Sequence, residues 1–254
     1  MTDLHYEIQG AGKTLVLLHS GGTDLRDWQF IAPELAKDFR VVTYDGRGAG
    51  QSPVPVQPTN HVADFEELIN SLDIEKTTLV GHSIGGQIAA DFTLKHLERV
   101  EKLVLVAPGL TGYKFGAAYQ QMIKDIWAVV PDAKKMLDIM LNTPEAYAVQ
   151  EAMQGPQRDL IVKIHRENIE KSLTWKNLEQ VWAEKPSTVE RLKEIKTETL
   201  FIVGTKEKAD VLQIGELFKQ LSNIQFKRVE NADHALTWTH PDEIISAVRN
   251  FMKN

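Results

Sequence analysis

The 254-residue chain contains no cysteine, so disulfide bonds, thiolate metal ligands and cysteine nucleophiles are all excluded. Basic residues are few relative to acidic ones: 29 Lys and Arg against 35 Asp and Glu give a formal net charge of -6. This balance provides no basic face for nucleic acid. The first residues show no basic segment followed by an apolar one, and no apolar run approaches the ~20 residues that span a bilayer. We therefore expect a cytoplasmic protein without nucleic-acid or membrane partners.

Apolar residues, by contrast, are plentiful: 43% of the chain is hydrophobic, which is enough for a sizeable core. Short apolar runs, which are typical of buried strands, alternate with helical patterns. The predicted strands are 4–8, 14–18, 40–44, 77–80, 102–107, 199–203 and 225–229. The predicted helices are 24–39, 62–72, 87–97, 215–221 and 242–252. This alternation predicts an α/β fold with a doubly wound, mostly parallel sheet.

The alternation is interrupted in the middle of the chain, where we find no convincing strand pattern. Prolines divide this stretch into segments with helical periodicity. The predicted helices are 116–130, 132–142, 144–154, 156–172 and 174–184. We therefore predict a core of residues 1–110 and 196–254, with residues 111–195 inserted as a helical cap between two late strands. Three tryptophans and four methionines in this segment suit either an apolar pocket wall or ordinary helix packing, and His165 is expected at the surface.

Residues 77–90 read TTLVGHSIGGQIAA, a short strand pattern that leads through G-x-S-x-G into a helical pattern. Strand, sharp turn and helix form the context that a nucleophile elbow requires. A serine at the tip of such a turn has a strained backbone, and a Cβ at Gly81 or Gly85 would clash with the other side of the turn. Ser83 is therefore the candidate nucleophile, and the alternative role for it is that of a helix N-cap.

The strand pattern at 14–18 ends in HSGG (19–22), and ligands bind where the strands of an open α/β sheet end. We expect the Gly21 N–H to point into the site as an oxyanion donor, with an ordinary glycine-rich turn as the alternative. The second expected donor is the N–H of Ile84, the residue after the nucleophile. His19 is expected to brace its loop.

The strand pattern at 40–44 is followed by DGRGAGQS (45–52). A dinucleotide fingerprint would need glycine where Gln51 stands, so we reject that function for the loop. Asp45 and Arg47 are instead expected to hold the loop through an ion pair and backbone hydrogen bonds.

Acyl transfer by a serine needs a general base and an acid that orients this base. Among the eight histidines, only His234 lies in a loop just past the last predicted strand, where a doubly wound sheet would bring it to Ser83. Glu207 lies three residues past the glycine that ends the preceding strand pattern, and Asp210 lies three residues further on. Either carboxylate could orient the histidine; Glu207 is preferred and Asp210 is the alternative. Asp233 is expected to raise the pKa of the neighbouring His234.

With these residues assembled, the chain resembles the α/β-hydrolase fold family over essentially its full length. The shared features are LLHSGG (17–22), YDGRGAGQS (44–52), LVGHSIGG (79–86), VGTKE (203–207) and NADHAL (231–236). The order serine, acid, histidine is that of the family, and the helical segment falls where the family carries its cap. Ser20 and Asp233 stand where glycine is usual, and Glu207 stands where aspartate is usual. Residues 23–28 also resemble the subgroup of esterases and 3-oxoadipate enol-lactonases.

The resemblance implies a serine hydrolase that acts on a small-molecule substrate and needs neither a cofactor nor a metal. We expect it to cleave a small, mainly apolar carboxylic ester or lactone through an acyl-Ser83 intermediate. Alternatives with the same residues are carbon–carbon bond hydrolysis of diketone-like substrates, perhydrolysis and cyanohydrin lyase chemistry. A ligand-sensing or partner-binding protein with little turnover is the alternative from another class. The expected oligomeric state is a monomer or a homodimer.

Overall fold

The computed structural model describes residues 2–182 and 186–253. The strands in these residues are β1 (Tyr6–Gln9), β2 (Thr14–Leu18), β3 (Arg40–Tyr44), β4 (Thr59–Asn60), β5 (Thr77–His82), β6 (Val100–Val106), β7 (Gln180–Val181), β8 (Glu198–Gly204) and β9 (Ile224–Val229). The α-helices are α1 (Ala32–Leu35), α2 (His61–Ser71), α3 (Ile84–Lys95), α4 (Ala117–Ala128), α5 (Ala133–Leu141), α6 (Gln150–Gln154), α7 (Arg158–Ser172), α8 (Thr188–Arg191), α9 (Ala209–Phe218), α10 (Leu236–Thr239) and α11 (Pro241–Lys253). Short 3-10 helices are found at Leu25–Trp28, Leu97–Arg99 and Leu192–Glu194.

The central sheet contains seven strands in the order β1-β3-β2-β5-β6-β8-β9. The β1 strand is antiparallel to β3, and all the other pairings in this sheet are parallel. The apolar residues 15–18 of β2 have no solvent exposure, as expected for a strand that is covered on both faces. The predicted α/β fold with a doubly wound, mostly parallel sheet is therefore confirmed.

The sheet explains why residues far apart in the sequence meet. Parallel strands bring their carboxyl ends to one edge of a sheet. The β2 strand is followed by residues 19–22, β5 by Ser83, β8 by the loop with Glu207, and β9 by the loop with His234. The candidate site residues therefore lie at one edge.

The segment predicted as a single helix at 24–39 is broken in the structure. A 3-10 turn at Leu25–Trp28 begins where the Asp24 side chain accepts a hydrogen bond from the Arg26 N–H, and α1 follows with only one turn. Pro33, at the start of α1, has no N–H to continue a hydrogen-bond ladder from the preceding turn. The apolar residues Trp28, Ile31 and Leu35 are buried, but the helix that their spacing predicts is not continuous.

Residues 107–197 lie between β6 and β8 and are called the helical insertion below. Its helices α5, α6 and α7 pack around an apolar cluster that is separate from the main core. Ala235 and Trp238, which follow β9, belong to the same cluster. The insertion therefore packs onto the chain segment that begins at His234. The domain boundaries after residues 110 and 195 stay a prediction.

Four predicted helices of the insertion are present as α4, α5, α6 and α7, although the one predicted at 144–154 forms only its last turn. Before α6, the N–H groups of Ala146 and Tyr147 both donate a hydrogen bond to the Thr143 oxygen, which makes one isolated turn. Among the residues that the structure describes, no helix combines the length and the hydropathy needed to cross a bilayer.

The helix predicted at 174–184 is wrong for residues 174–182, and its last two residues lie outside the described part of the chain. Trp175 Nε1 donates to the Gly48 oxygen at 3.1 Å, and the next two N–H groups both donate to the Pro55 oxygen at 3.1 Å. The β7 strand then pairs with β4. Hydrogen bonds to core loops therefore take the place of helical hydrogen bonds in this segment.

Candidate active site

Ser83 stands at the tip of the turn between β5 and α3, with φ 52° and ψ -115°. A positive φ is strained for serine. An ideal Cβ on Gly81 would lie 2.4 Å from the Gly85 oxygen, and one on Gly85 would lie 2.1 Å from the Leu18 oxygen. Glycine is therefore required at both positions, as the G-x-S-x-G pattern predicts. The Ser83 side chain makes no capping hydrogen bond to α3, which speaks against the N-cap alternative.

The three candidate catalytic side chains form one hydrogen-bonded chain. Ser83 Oγ lies 2.9 Å from His234 Nε2, and His234 Nδ1 lies 2.8 Å from Glu207 Oε2. Because a carboxylate can only accept, Nδ1 carries the proton and Nε2 is free to accept the proton of the Ser83 hydroxyl. The other carboxylate oxygen, Oε1, accepts from the Lys208 N–H at 2.9 Å. This geometry is the one that a general base and its orienting acid require.

His234 and Glu207 are almost completely shielded from solvent. Burial lowers the pKa of His234 below its ordinary value; the charge and hydrogen bond of Glu207 oppose this effect, and the charges of Lys208 and His82 reinforce it. His234 is therefore neutral near pH 7. A neutral imidazole is the form that can take up a proton from a serine.

Asp210, the alternative acid, faces the helical insertion rather than His234. Its carboxylate accepts from the Tyr113 hydroxyl at 3.1 Å and from the Gly116 N–H at 3.0 and 3.2 Å. The α9 helix begins one residue before Asp210 and turns this side chain away from the loop that carries Glu207. Of the two acids that the sequence leaves open, the structure brings Glu207 to His234.

The expected effect of Asp233 on His234 is wrong. The Asp233 carboxylate accepts from the N–H groups of Glu151, Ala152 and Ala235 at 2.9, 3.1 and 3.0 Å. Its charge is therefore directed at the backbone near the start of α6, and the pKa of His234 is lowered rather than raised. Asp233 instead ties the helical insertion to the loop that carries His234.

The candidate oxyanion donors lie beside the nucleophile. Among the described residues, neither the Gly21 N–H nor the Ile84 N–H has a hydrogen-bond acceptor. The Ser20 N–H, by contrast, is occupied by Asp27 Oδ2 at 2.8 Å. The two donor segments are in contact, because an ideal Cβ on Gly21 would lie 3.6 Å from Ile84 Cδ1. Two free N–H groups on adjacent segments can stabilise an oxyanion that forms at Ser83.

Two loops around these donors are held by polar side chains. His19 braces its loop as predicted, because its Nδ1–H donates to the Ser20 oxygen at 2.7 Å and its Nε2 accepts from the Gly46 N–H at 2.9 Å. Asp45 accepts from two backbone N–H groups at 2.8 and 2.7 Å, as predicted. The predicted ion pair between Asp45 and Arg47 is wrong, since Arg47 pairs with two other carboxylates at 2.8 and 2.9 Å.

A second buried carboxylate–histidine pair lies beside the first. His82 Nδ1 is 2.8 Å from Asp27 Oδ2, and His82 Nε2 is 2.9 Å from the carbonyl oxygen of His234. Both neighbours are acceptors, so the doubly protonated, positively charged imidazolium is the form of His82 that satisfies both of them. Burial acts to lower the pKa of His82, but the charge and hydrogen bond of Asp27 outweigh it and raise the pKa. Burial likewise opposes ionisation of Asp27, but His82 and further hydrogen bonds lower its pKa to about 2.

Asp27 connects three segments of the candidate site. Besides His82, its carboxylate accepts from the Ser20 N–H at 2.8 Å and from the Thr237 hydroxyl at 2.7 Å. Residues 19–22, the turn that carries Ser83 and the chain after His234 are therefore joined through one fully buried carboxylate. This connection is not predicted by the sequence patterns; the available signal was a histidine directly before the candidate nucleophile, which needs a partner if it is buried.

His165 is fully buried, so its predicted position at the surface is wrong. Its Nδ1–H donates to the Ile161 oxygen at 2.8 Å, and its Nε2 accepts from the Tyr147 hydroxyl at 2.9 Å. The Tyr147 ring in turn lies against His234, with ring centroids 5.5 Å apart. A usable signal was the helical spacing, because His165 lies four residues from Ile161 and from Ile169, on one face of α7.

A cavity of about 420 Å³ opens beside the candidate site. Gly21 and Ile84 line it, so the cavity reaches the candidate oxyanion donors. Its wall is mainly apolar, and residues from the helical insertion contribute much of it: Ile123, Ile126, Trp127, Val130, Met136, Ile169 and Trp175. A cavity of this size and character suits a small organic molecule.

A sequence profile of the alpha/beta hydrolase fold matches residues 13–241, which is most of the chain. The chain therefore belongs to the α/β-hydrolase fold family and is a hydrolase, as its motifs predict.

The chain is similar to individual hydrolases in sequence and in structure. The chain is 30% identical to 2-hydroxy-6-oxononadienedioate/2-hydroxy-6-oxononatrienedioate hydrolase 1 of Pseudomonas putida, over 98% of this chain and 92% of that protein. Its structure is similar to that of an esterase from Rhodococcus sp. ECU1013, with a TM-score of 0.82, 20% identity and coverage of 99% and 94% of the two chains. It is also similar to the enol-lactonase from Burkholderia xenovorans LB400, with a TM-score of 0.77, 23% identity and coverage of 99% and 96%. At these identities, the structural similarity shows the fold alone.

Proposed function

We propose that the chain is a serine hydrolase with Ser83 as nucleophile, His234 as general base and acid, and Glu207 as the orienting acid. The N–H groups of Gly21 and Ile84 are the proposed oxyanion donors. The observation that carries this proposal is the continuous chain from Ser83 Oγ through His234 to Glu207, with distances of 2.9 and 2.8 Å. In this proposal the enzyme works in the cytoplasm without a cofactor, as a monomer or a homodimer.

The bond that we propose for cleavage is a carbon–carbon bond beside a ketone, in a small and mainly apolar substrate. The support is the 30% identity, over 98% of the chain, with a hydrolase named for 2-hydroxy-6-oxononadienedioate. A compound of that name has carboxylates, an enol and a ketone but no ester or amide. The bond that a hydrolase can break in this compound is therefore the one between the ketone carbon and the adjacent carbon of the conjugated enol part.

The proposed residues can perform this reaction in two halves. Ser83 Oγ attacks the ketone carbon while His234 Nε2 takes its proton, and the N–H groups of Gly21 and Ile84 hold the oxyanion. Before this bond can break, the enol takes its keto form by moving its proton to the carbon beside the ketone, because an electron pair left on a vinyl carbon cannot enter the conjugated system. When the oxyanion then collapses, the carbon–carbon bond breaks, its electron pair forms a dienolate with the new carbonyl group, and His234 returns the proton to this dienolate. A water molecule, deprotonated by His234, then attacks the acyl-Ser83 ester and releases the carboxylic acid. Glu207 stabilises the imidazolium in each half.

Hydrolysis of an ester or a lactone is the second candidate, and the cavity lining favours it over hydrolysis of a dicarboxylate. Among the described residues, Arg47 is the only Lys or Arg that lines the cavity, and it already pairs with Asp3 and Asp64. Two substrate carboxylates in an apolar cavity without an unpaired cation would be costly. An alkoxide needs no conjugation to leave, so the same residues would cleave an ester when His234 protonates the leaving oxygen.

Two measurements test the proposal. Intact mass after treatment with a fluorophosphonate should show one adduct on the wild type and none on Ser83→Ala. The absence of an adduct on folded wild type would contradict the proposed triad and favour a ligand-sensing protein.

Substrate comparison then decides between the two candidates. The substrates are a conjugated hydroxy-oxo-dienoate with an alkyl ketone, p-nitrophenyl butyrate and an aryl lactone. If the dienoate absorbance is lost with the wild type but not with Ser83→Ala, the result supports carbon–carbon bond hydrolysis. If the ester or the lactone is turned over and the dienoate is not, ester or lactone hydrolysis replaces carbon–carbon bond hydrolysis as the proposed reaction.

A further inference from the structure

The cavity wall includes four polar residues that are grouped around Asp64: Tyr44, Arg47, His61 and Asp64 itself. Asp64 pairs with Arg47, and its charge acts on the pKa of both Tyr44 and His61. These four residues belong to β3, to the loop after β3 and to α2, rather than to the segments that carry the proposed triad. Arg47 Nε lies 3.0 Å from both carboxylate oxygens of Asp64, and Arg47 also pairs with Asp3, so this cation is not available to a ligand.

Two polar groups in this wall have no hydrogen-bond partner among the described residues. Tyr44 is only 4% exposed, yet its hydroxyl bonds to no described group, and the same is true of both ring nitrogens of His61. The polar side chains of Thr23, Asn168 and Ser172, which also line the cavity, each hydrogen-bond to other protein groups. His61 is half-buried, and the polar atoms of both residues keep some accessible surface. Because both residues line the cavity, Tyr44 and His61 are hydrogen-bonding groups whose partners a bound ligand can supply.

Neither of these two groups carries a charge near neutral pH. Burial, assisted by the charge of Asp64, raises the pKa of the Tyr44 hydroxyl, so this hydroxyl stays protonated and can donate. Burial lowers the pKa of His61 to about 4 against the opposing charge of Asp64, so the ring offers one donor and one acceptor. Tyr44 and His61 therefore offer hydrogen bonds without carrying a charge of their own.

We propose that Tyr44 and His61 form a polar subsite that binds a neutral hydrogen-bonding group, such as a hydroxyl, carbonyl or amide, on the unreactive part of the substrate. The proposal rests on the proposed function, since it takes the cavity to be the substrate site. A carboxylate would face Asp64 and would find Arg47 already paired. An ammonium group would have to compete with Arg47 for Asp64.

The polar subsite would make the enzyme selective for substrates whose apolar chain ends in such a group. A hydrogen bond to an otherwise unpaired buried group typically contributes roughly 1 kcal/mol, which corresponds to a ~3- to 10-fold preference. A ligand without the polar group would leave Tyr44 and His61 unpaired on binding, which is the physical basis of such discrimination.

Ligand binding to Ser83→Ala tests the polar subsite without any chemistry. Trp127 and Trp175 line the cavity, so quenching of tryptophan fluorescence can report binding, with calorimetry as a check. The probes are methyl hexanoate and its ω-hydroxy, ω-carboxy and ω-amino derivatives. We expect the ω-hydroxy ester to bind ~3- to 10-fold more tightly than methyl hexanoate.

Variants in the Ser83→Ala background assign this preference to residues. Tyr44→Phe should abolish the preference and leave the affinity for methyl hexanoate unchanged, and it should fold because its ring keeps the stacking on Phe65 at 5.8 Å. His61→Leu should reduce the preference. Tyr6→Phe is the matched control, because Tyr6 lies on β1 with 39% exposure and does not line the cavity.

The outcomes separate the polar subsite from the triad. Equal affinity for the hydroxylated and plain esters, a preference that survives Tyr44→Phe, or binding of none of the four esters would overturn the polar subsite. Tighter binding of the ω-carboxy or ω-amino ester would overturn its assignment to a neutral group. A hydroxyl preference without fluorophosphonate labelling of Ser83 in the wild type would support the polar subsite and contradict only the proposed function.

Discussion

The structure contains two buried carboxylate–histidine pairs, Glu207 with His234 and Asp27 with His82, whose imidazole rings lie 5.2 Å apart. Both pairs have a histidine Nδ1 that is 2.8 Å from a carboxylate oxygen. The two pairs differ in the group that faces the second ring nitrogen, Nε2. Nε2 of His234 faces the Ser83 hydroxyl, whereas Nε2 of His82 faces a carbonyl oxygen. A carboxylate partner alone therefore does not identify a general base; the group at the second nitrogen does.

This difference fixes the protonation of the two rings. A hydroxyl can donate, so His234 can stay neutral, while a carbonyl can only accept, so His82 donates from both nitrogens. The pKa of His234 is lowered by burial, and the pKa of His82 is raised because the charge of Asp27 outweighs burial. We infer that the first pair is available for proton transfer and that the second is a positioning unit for the loops around it.

The largest expected effect comes from removing each histidine in turn. His234→Ala should lower kcat by about 10⁶-fold, since the proposed nucleophile would lose its base. His82→Asn keeps all three triad side chains and should lower kcat by about 100-fold, through displacement of the loops that it connects. Single-turnover and steady-state kinetics measure both values. Similar losses in the two variants would contradict the distinction between the pairs.

The next largest effect on kcat is expected from changing Glu207, the carboxylate of the first pair. Glu207→Gln should lower kcat by about 10⁴-fold, because an amide can no longer hold the Nδ1–H tautomer and stabilise the imidazolium. The matched control is Asp210→Asn, whose side chain bonds to Tyr113 and Gly116 instead. Steady-state kinetics of both variants with a common ester decide the question. A larger loss in Asp210→Asn would return Asp210 to the role of the triad acid.

The second pair should matter more for stability than the first. Asp27→Asn leaves the buried charge of His82 without its partner and should cost about 3 kcal/mol of unfolding free energy. Glu207→Gln removes one hydrogen bond to a neutral ring and should cost about 1 kcal/mol. Urea denaturation followed by circular dichroism gives both values. The opposite ranking would mean that His82 is not the charged member of the two histidines.

The smallest expected effect is on the pH dependence. His234 must be neutral to accept a proton, and its pKa is lowered, so kcat/KM should persist below pH ~6.5 and fall only as the pH passes through this lowered value. His82→Asn removes a nearby positive charge and should move this acidic limb upward by about one pH unit. The pH profiles of the wild type and the variant test the sign. A limb that stays in place or moves downward would show that His82 carries no charge.

The positions of Ser83, Glu207 and His234 could be predicted because each is tied to the carboxyl end of a strand with an obvious apolar pattern. Strand order in a parallel sheet then brings these ends together whatever the details of the helices. The predicted preference for Glu207 over Asp210 agrees with the structure. Glu207 lies in the loop directly after β8, whereas α9 starts between the two acids and turns Asp210 away.

The second pair could not be predicted in this way, because it depends on packing between segments without a shared pattern. Asp27 lies in a stretch whose apolar spacing predicts a continuous helix, and nothing in that spacing shows that its carboxylate turns toward His82. Residues 174–182 failed as a helix for a similar reason: the bonds from Trp175 and its neighbours to core loops are not visible in local periodicity. His165 was recoverable from its helical spacing.

The protonation of the two rings is the central claim, and the ¹⁵N chemical shifts of the histidine ring nitrogens at neutral pH test it most directly. His82→Asn and His234→Ala assign the signals. We predict imidazolium shifts for both nitrogens of His82, and for His234 a protonated Nδ1 with an unprotonated Nε2. A neutral His82 beside a protonated His234 would contradict the claim and would make His234 the structural member of the two.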